Sequence, residues 1–197
     1  MAGLINQLKS AAAMEIHGDL PCVDCRYNLR GLQTDGNCPE CGTAIEKALG
    51  RSRLNGNGSL LTAVRRTRFY PVMAVSGCPI DGVLFVHDSM RTAVRRKIQE
   101  VGQGKSIREA GKGRSVHVSA ADICEGFRVH AKHYFNDQSE AMDLLNEWGL
   151  RSSEDVGRVI FAMVAVGALV VTEQDSIEHF SGLFTLDSLL KVWEYSR

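Results

Sequence analysis

Apolar residues recur at helical spacing through much of the second half of the chain, and capping signals divide them into three stretches. Each stretch opens with Ser or Asp followed three residues later by an acidic residue, a pair that satisfies the free amides at a helix start. Trp148-Gly149-Leu150 is typical of a helix that ends at glycine. The pattern therefore predicts three helices between residues 119 and 167. Their capping pairs are Ser119 with Asp122, Asp137 with Glu140, and Ser152 with Asp155.

The residues after the third helix predict a β-hairpin. Residues 168–172 form one expected strand, and a turn at 174–176 would return a second strand over 177–184. Three helices followed by a hairpin is the order of a winged helix. The helix in the recognition position carries only Arg158 as a cation, whereas reading the major groove needs polar and cationic tips. We therefore expect a mainly α (α+β) fold in which that helix is buried or faces a protein.

A basic helix is predicted before these three. Ser89 is expected to cap it, with apolar residues up to Val101 on one face and Arg91, Arg95, Arg96 and Lys97 on the other. Upstream, the apolar runs 72–75 and 83–86 fit helix or strand equally well.

The composition changes before the helical part. Residues 50–60 are rich in glycine, asparagine and serine and predict a flexible linker. On it a cysteine-rich module, 21–49, could reorient relative to a mostly helical domain, 61–197. Residues 1–20 are predicted to be an amphipathic segment, without the features of an export signal. The longest apolar run, 159–171, would span roughly 20 Å as a helix, against roughly 30 Å of hydrocarbon, so we expect a cytoplasmic protein without membrane contact.

Charge is balanced over the whole chain, at 23 basic and 23 acidic side chains, but not along it. Residues 61–135 carry 13 basic and six acidic groups, and residues 136–197 carry four basic and 11 acidic groups. The zero sum thus hides a middle at plus seven and a tail at minus seven. The tail is expected to face a protein or to pack against the middle. The expected nucleic-acid contacts are Arg65, Arg66, Arg68, Arg91, Arg95, Arg96, Lys97, Lys105, Lys112 and Arg114.

Four of the six cysteines form two Cys-x-x-Cys pairs, Cys22 with Cys25 and Cys38 with Cys41. Without an export signal, these thiols are expected to bind a metal rather than to form disulfides. Two residues between the cysteines let a tight turn aim both sulfurs at one ion, and two such turns complete a tetrahedral site. The spacing therefore predicts a four-thiolate metal site.

We expect one structural Zn²⁺ in this site, because the segment has too few apolar groups to fold by burial alone and metal binding supplies about 10 kcal/mol or more. Gly42 follows the second pair, where the backbone is expected to turn with a positive φ, and Arg26 takes that place after the first. Iron is the alternative, since rubredoxin-like centres share this cysteine pattern. An iron centre would indicate an electron carrier.

The segment Cys22-Val-Asp-Cys-Arg-Tyr-Asn-Leu-Arg-Gly-Leu, with the later Cys38-Pro-Glu-Cys-Gly, resembles the N-terminal zinc ribbon that recurs on many planctomycete proteins. Residues 62–190 resemble a conserved family of uncharacterised planctomycete and verrucomicrobial proteins. This second resemblance is carried by His117-Val-Ser-Ala-Ala-Asp-Ile-Cys-Glu-Gly-Phe, Trp148-Gly-Leu with Glu154-Asp-Val-Gly, and Thr172-Glu-Gln-Asp-Ser. Ala120 stands where that family is expected to have glycine. Together they imply a zinc-binding accessory module and a domain without an established activity.

The histidines make the best case for catalysis. His130 and His133 share one predicted helix face, Glu125 precedes them by about a turn, and His117 lies just before the cap. A second metal site or a general base would need these groups to converge, whereas histidines on a helix surface are common. Gly104-Lys105-Ser106 imitates a phosphate-binding loop, but Gln99 stands where that motif needs glycine, so no nucleotide is expected.

We therefore expect a non-enzymatic interaction or adaptor protein that contacts RNA, DNA or a ribonucleoprotein through its ribbon and basic middle. The alternatives are a protein-only regulatory adaptor, an iron electron carrier, and an enzyme that uses His117, His130 and His133.

Overall fold

The computed structural model describes residues 13–50, 61–101 and 117–191, with side chains at 13–49, 69–101 and 117–191. This part of the chain is mainly helical, as predicted. It has no strands, and only isolated β-bridges pair backbone segments. The helices are α1 (Glu46–Gly50), α2 (Leu61–Ser76), α3 (Ile80–Val101), α4 (Ala120–Tyr134), α5 (Gln138–Glu147), α6 (Ser153–Ala165), a 3-10 helix (Ile177–Phe180) and α7 (Leu186–Lys191). The predicted amphipathic segment lies mostly outside the described residues.

The capping pairs begin three helices as predicted. At α4, the Ser119 hydroxyl accepts a hydrogen bond from the Asp122 amide at 3.2 Å, and the Asp122 carboxylate accepts one from the Ser119 amide at 2.9 Å. The Asp137 carboxylate caps α5 by accepting from the Glu140 amide at 2.9 Å. The local sequence thus determines where these helices start.

Two helices also end where glycine predicts. Gly149 has a φ of 70° after α5, and the Leu150 amide donates to the Leu145 carbonyl at 2.8 Å. Gly167 has a φ of 71° after α6, and the Ala168 amide donates to the Met163 carbonyl at 2.8 Å. Both ends have the long 6→1 hydrogen bond of a Schellman motif.

The predicted hairpin is wrong, and with it the winged-helix order. Residues 168–172 form no strand, and the expected second strand contains a 3-10 helix. In the expected second strand, 177–184, side chains at the start of α6 prevent strand pairing. The buried Ser153 hydroxyl accepts hydrogen bonds from the amides of Leu183 and Phe184, at 3.1 and 3.2 Å, and the Glu154 carboxylate accepts one from Gly182 at 2.7 Å. These amides are therefore bound to side chains instead of to a neighbouring strand.

Ser89 does not cap a helix, contrary to expectation. It lies inside α3, which already begins at Ile80, and its buried hydroxyl donates to the Phe85 carbonyl at 2.8 Å. The two ambiguous runs, 72–75 and 83–86, are both helical. A serine that donates to the carbonyl four residues earlier is compatible with a helix interior.

The chain divides into two compact units, residues 1–83 with 158–174 and residues 84–157 with 175–197. The cysteine-rich module and α2 therefore belong to the same unit. Residues 51–60, most of the predicted linker, lie outside the described residues, and a boundary at 50–60 stays a prediction.

The core of the second unit is aromatic. The buried Phe85 ring on α3 lies within 5.6 Å, between ring centroids, of five other rings. Their edge-on and tilted arrangements are those that aromatic quadrupoles favour. The five rings are those of Phe127, His130, Tyr134, Phe135 and Trp148.

We expect a Glu154→Gln variant to be less stable than the native protein at neutral pH. The hydrogen bond from the Gly182 amide is the main cause that lowers the pKa of Glu154 from 4.5 to about 2. A lowered pKa stabilises the fold above the unfolded value of 4.5, and this contribution is lost as pH falls through about 2. Urea midpoints at pH 7 and pH 3 measure it. Equal midpoints at pH 7 for Glu154→Gln, the native protein and the exposed control Glu178→Gln would contradict this.

Within the described residues, no single helix is both long and apolar enough to cross a membrane. Phe69–Ser76 and Ile80–Val101 reach the required length and composition only as a pair separated by a bend.

Candidate metal centre

The two cysteine pairs converge on one point. All four sulfur atoms lie within 4.8 Å of one another, and two cross pairs are closer, Cys22 to Cys41 at 3.6 Å and Cys25 to Cys38 at 3.5 Å. A tetrahedral ion with metal–sulfur bonds of about 2.3 Å needs sulfur separations of about 3.8 Å. The four cysteines could therefore hold one metal ion. Cys22 and Cys38 are buried, whereas Cys25 and Cys41 are exposed.

The two Cys-x-x-Cys turns, called knuckles here, have the same pattern of backbone hydrogen bonds. In the first, the Cys22 amide donates to Tyr27 at 2.8 Å and the Cys22 carbonyl accepts from Arg26 at 3.1 Å. In the second, the Cys38 amide donates to Thr43 and the Cys38 carbonyl accepts from Gly42, both at 2.8 Å. The residue after each second cysteine has a positive φ, 67° at Arg26 and 71° at Gly42. The sequence predicted this turn at Gly42, and Arg26 adopts it as well.

A reciprocal pair of substitutions tests this turn. No atom lies within 4 Å of a Cβ added at Gly42, so Gly42→Ala should cost only the left-handed strain, about 1 kcal/mol. Arg26→Gly should remove a similar strain, partly offset by the greater freedom of an unfolded glycine. Midpoints of chelator-induced unfolding should therefore shift in opposite directions. Two shifts of the same sign would show that φ does not limit these turns.

Thr43 links the two knuckles. Its Oγ1 lies 2.6 Å from the Asp24 carboxylate and 3.3 Å from the Cys41 sulfur. The side chain and then the backbone amide of Thr43 lower the pKa of Cys41 to about 6. A backbone hydrogen bond from Tyr27 lowers the pKa of Cys25, but partial desolvation and the three neighbouring thiols outweigh it and raise this pKa to about 12. A metal that binds all four thiolates must therefore displace protons, so its affinity falls as the pH is lowered.

A small apolar core supports the knuckles. The segment before the first cysteine pairs with the segment between the knuckles, since the Ile16 amide donates to Leu32 at 2.9 Å and the Leu29 amide donates to Leu20 at 2.8 Å. The core is larger than the sequence suggested, but modules below about 40 residues usually still need a metal or disulfides. Its members are Ile16, Leu20, Leu29, Ile45 and Leu49.

The same leading segment contacts the C-terminal end of α2. The Ala74 carbonyl accepts hydrogen bonds from the amides of His17 at 2.6 Å and Gly18 at 2.8 Å. The Tyr70 hydroxyl donates to the Asp19 carbonyl at 3.0 Å. A Cβ at Gly18 would lie 3.0 Å from the Ala74 Cα, so this close approach favours glycine. Carbonyls at a helix end have no helical partner, and here the module supplies amide donors.

The cations of α3 lie beside acidic groups. Lys97 donates to Asp122 at 2.8 Å, and this hydrogen bond raises the pKa of Lys97. Arg96 lies 3.5 Å from Glu125, which also accepts two hydrogen bonds from Arg128. Arg91 lies 3.9 Å from Asp88, and Arg95 is exposed.

The positive charge surplus of residues 61–135 lies largely on residues whose side chains are outside the described part of the structure. Of the 13 basic and six acidic groups in residues 61–135, the described side chains hold six and five. The remaining seven basic groups and one acidic group lie in 65–68 and 105–114. Residues 102–116, with the predicted contacts Lys105, Lys112 and Arg114, are outside the described part, as are the side chains of Arg65, Arg66 and Arg68.

The three histidines have different surroundings. His117 lies 3.8 Å from Asp175, and exposed His133 is 2.7 Å from the Val129 carbonyl. His130 packs on Phe85, and burial lowers its pKa. Among the described residues, the only group of three or more potential ligands that could hold a metal is the cysteine cluster.

The other two cysteines lie apart from that cluster and are buried. Burial raises the pKa of Cys124 to about 12, which disfavours its thiolate. Cys78 follows the end of α2, where its amide donates to the Ser76 hydroxyl at 3.2 Å.

Fold and site together define a mainly helical protein with a four-cysteine cluster that could hold a metal ion. Comparison with protein-family models, curated proteins and solved structures finds no match to this chain. Sequence reasoning missed the roles of Thr43, Asp24 and Gly18. Of these three, only Thr43 had a signal in the sequence. It follows Cys41 by two residues, as Tyr27 follows Cys25, and the two positions make equivalent backbone hydrogen bonds.

Proposed function

We propose that this protein is a non-enzymatic adaptor in which one Zn²⁺ stabilises the cysteine-rich module. The observation that carries the proposal is the complete set of four converging sulfurs. A tetrahedral ion with four thiolates has no open position for water or substrate, which is the pattern of structural zinc rather than catalytic zinc. Residues Cys22, Cys25, Cys38 and Cys41 would hold the ion.

The adaptor would contact nucleic acid or a ribonucleoprotein through the module and the basic positions in α2 and residues 105–114. Support comes from the concentration of cations at these positions. A protein-only adaptor is the second candidate, and the ion pairs of Lys97 and Arg96 with α4 favour it. Cations that already lie beside carboxylates contribute less to nucleic-acid binding, because phosphates must compete with those carboxylates for them.

Metal analysis of the purified protein tests the first part. We expect one zinc per chain and a colourless protein, since Zn²⁺ is a closed-shell ion. A coloured protein with one iron per chain would replace the adaptor by an electron carrier, because tetrahedral sulfur sites suit both metals.

Binding to labelled oligonucleotides at several salt concentrations tests the second part. We expect binding at about 50 mM salt that weakens steeply by about 200 mM, because neutralised phosphates release counterions. If the protein binds no oligonucleotide at low salt, the nucleic-acid proposal fails and the protein-only adaptor remains.

A further inference from the structure

The cysteine-rich module and α2 form a joint surface that the linear sequence does not reveal. Tyr70 of α2 and Arg30 of the module both approach Asp19. Tyr70 donates its hydroxyl hydrogen to the Asp19 carbonyl at 3.0 Å, and Arg30 lies 4.0 Å from the Asp19 carboxylate. Asn28 also donates to this carboxylate at 2.9 Å. The Tyr70 side chain and the Arg30 guanidinium are thereby held near the same residue, although they are far apart in sequence.

Both side chains remain accessible. Tyr70 is 46% exposed, although it lies on a helix whose neighbours Phe69 and Val72 are buried, and the Arg30 side chain is 65% exposed. A second exposed ring, Tyr27 at 40%, lies on the first knuckle, one residue before Asn28. Aromatic rings left in solvent beside a guanidinium are typical of contact surfaces.

Cationic positions occur near Tyr70 along α2 as well as in the module. The rise of 1.5 Å per residue places positions 65, 66 and 68 within about 8 Å of Tyr70 along the axis of α2. In the module, Arg30 is the cation beside Asp19. The Asp19 carboxylate is shared by Asn28 and Arg30, so its negative charge is partly compensated.

We infer that this surface, Tyr70 with Arg30, binds single-stranded nucleic acid, an inference that rests on the proposed function. Unpaired bases stack on exposed aromatic rings, and flanking cations bind the phosphates. A protein partner would also need a wide apolar contact, but Val72 and Val75 of α2 are fully buried and Met73, which shares the helix face of Tyr70, is only partly exposed. The predicted basic face of α3, at Arg91, Arg95, Arg96 and Lys97, offers no aromatic ring on which a base could stack. We therefore assign base stacking to the joint surface and not to α3.

Fluorescence anisotropy with labelled dT15 and rU15 tests this inference in the full-length, metal-loaded protein. Tyr70→Ala should weaken binding about 5- to 150-fold, the effect of losing one stacked base. Tyr70→Phe keeps the ring and should bind like the native protein. Arg30→Gln should weaken binding and lower the salt slope by about one. Tyr134→Ala removes an exposed tyrosine of the second unit that packs on Phe85, and it should leave oligonucleotide binding unchanged at a temperature where the variant is folded.

The outcomes separate this inference from the function beneath it. If the native protein binds neither oligonucleotide, the nucleic-acid function itself fails. If it binds and both Tyr70→Ala and Arg30→Gln match Tyr134→Ala, the joint surface is overturned while the function survives. Should Tyr70→Ala lose its metal, Arg30→Gln decides instead. Native-like binding by Arg30→Gln then overturns the inference.

Discussion

A Cys38→Ser variant is expected to lose the proposed metal ion and, with it, the fold of residues 14–49. The Cys38 sulfur is buried and lies 3.5 Å from that of Cys25, so its replacement leaves a gap in the tetrahedral shell. Metal binding supplies on the order of 10 kcal/mol to small zinc modules, far more than an ordinary core substitution changes. The buried aliphatic side chains of the module cannot replace that contribution.

Metal content and amide exchange measure this effect. Metal should fall to well below one ion per chain, and the amides of Leu29 and Ile45 should lose their protection. Cys124→Ser is the matched control, because it removes another buried thiol but should retain the metal. Full protection of Leu29 and Ile45 in metal-free Cys38→Ser would show that the module folds by burial alone.

A Gly126→Ala variant is expected to be destabilised by about 3 kcal/mol, although alanine normally favours a helix over glycine by about 1 kcal/mol. A Cβ at Gly126 in α4 would lie 2.6 Å from the Ala93 Cβ and 2.7 Å from its backbone nitrogen in α3. Backbone atoms cannot rotate away, so the two helices would have to separate. The buried contacts of Phe85 with Phe127 would be lost in part.

Gly157→Ala provides the comparison. Its added Cβ would lie 2.7 Å from the Cγ and 2.8 Å from the Cβ of Phe180, so a rotamer change alone cannot relieve the overlap. Phe180 lies in a 3-10 helix of four residues, and this short segment can shift more easily than two long packed helices. Urea unfolding followed by tryptophan fluorescence should therefore give a smaller loss for Gly157→Ala than for Gly126→Ala. If Gly126→Ala is as stable as the native protein, the helices are not held at the distance that the structure shows.

Features set by neighbouring residues were predictable. The caps at Ser119 and Asp137 and the glycine end at Gly149 depend on hydrogen bonds between residues a few positions apart, so short patterns contain them. Ser89 shows the limit of such patterns. Serine favours a cap only when the chain before it is not helical, and here α3 already starts at Ile80.

The hairpin failed for a different reason. Residues 182–184 meet Ser153 and Glu154, which lie 28 to 31 positions away in sequence, and these side chains take the amides that a strand partner would need. No local propensity reports such a contact, since strand preference depends on what the backbone can pair with.

The sequence by itself determined the four candidate metal ligands, the mainly helical class and the starts of three helices, because each follows from residues close along the chain. Only the tertiary structure decided that the module caps α2 through the Ala74 carbonyl, that Tyr70 approaches Asp19, and that Lys97 and Arg96 lie beside Asp122 and Glu125. These contacts join residues 25 or more positions apart. The entropic cost of closing such loops depends mainly on loop length, so the local sequence does not reveal which residues meet. The packing of the whole core decides that.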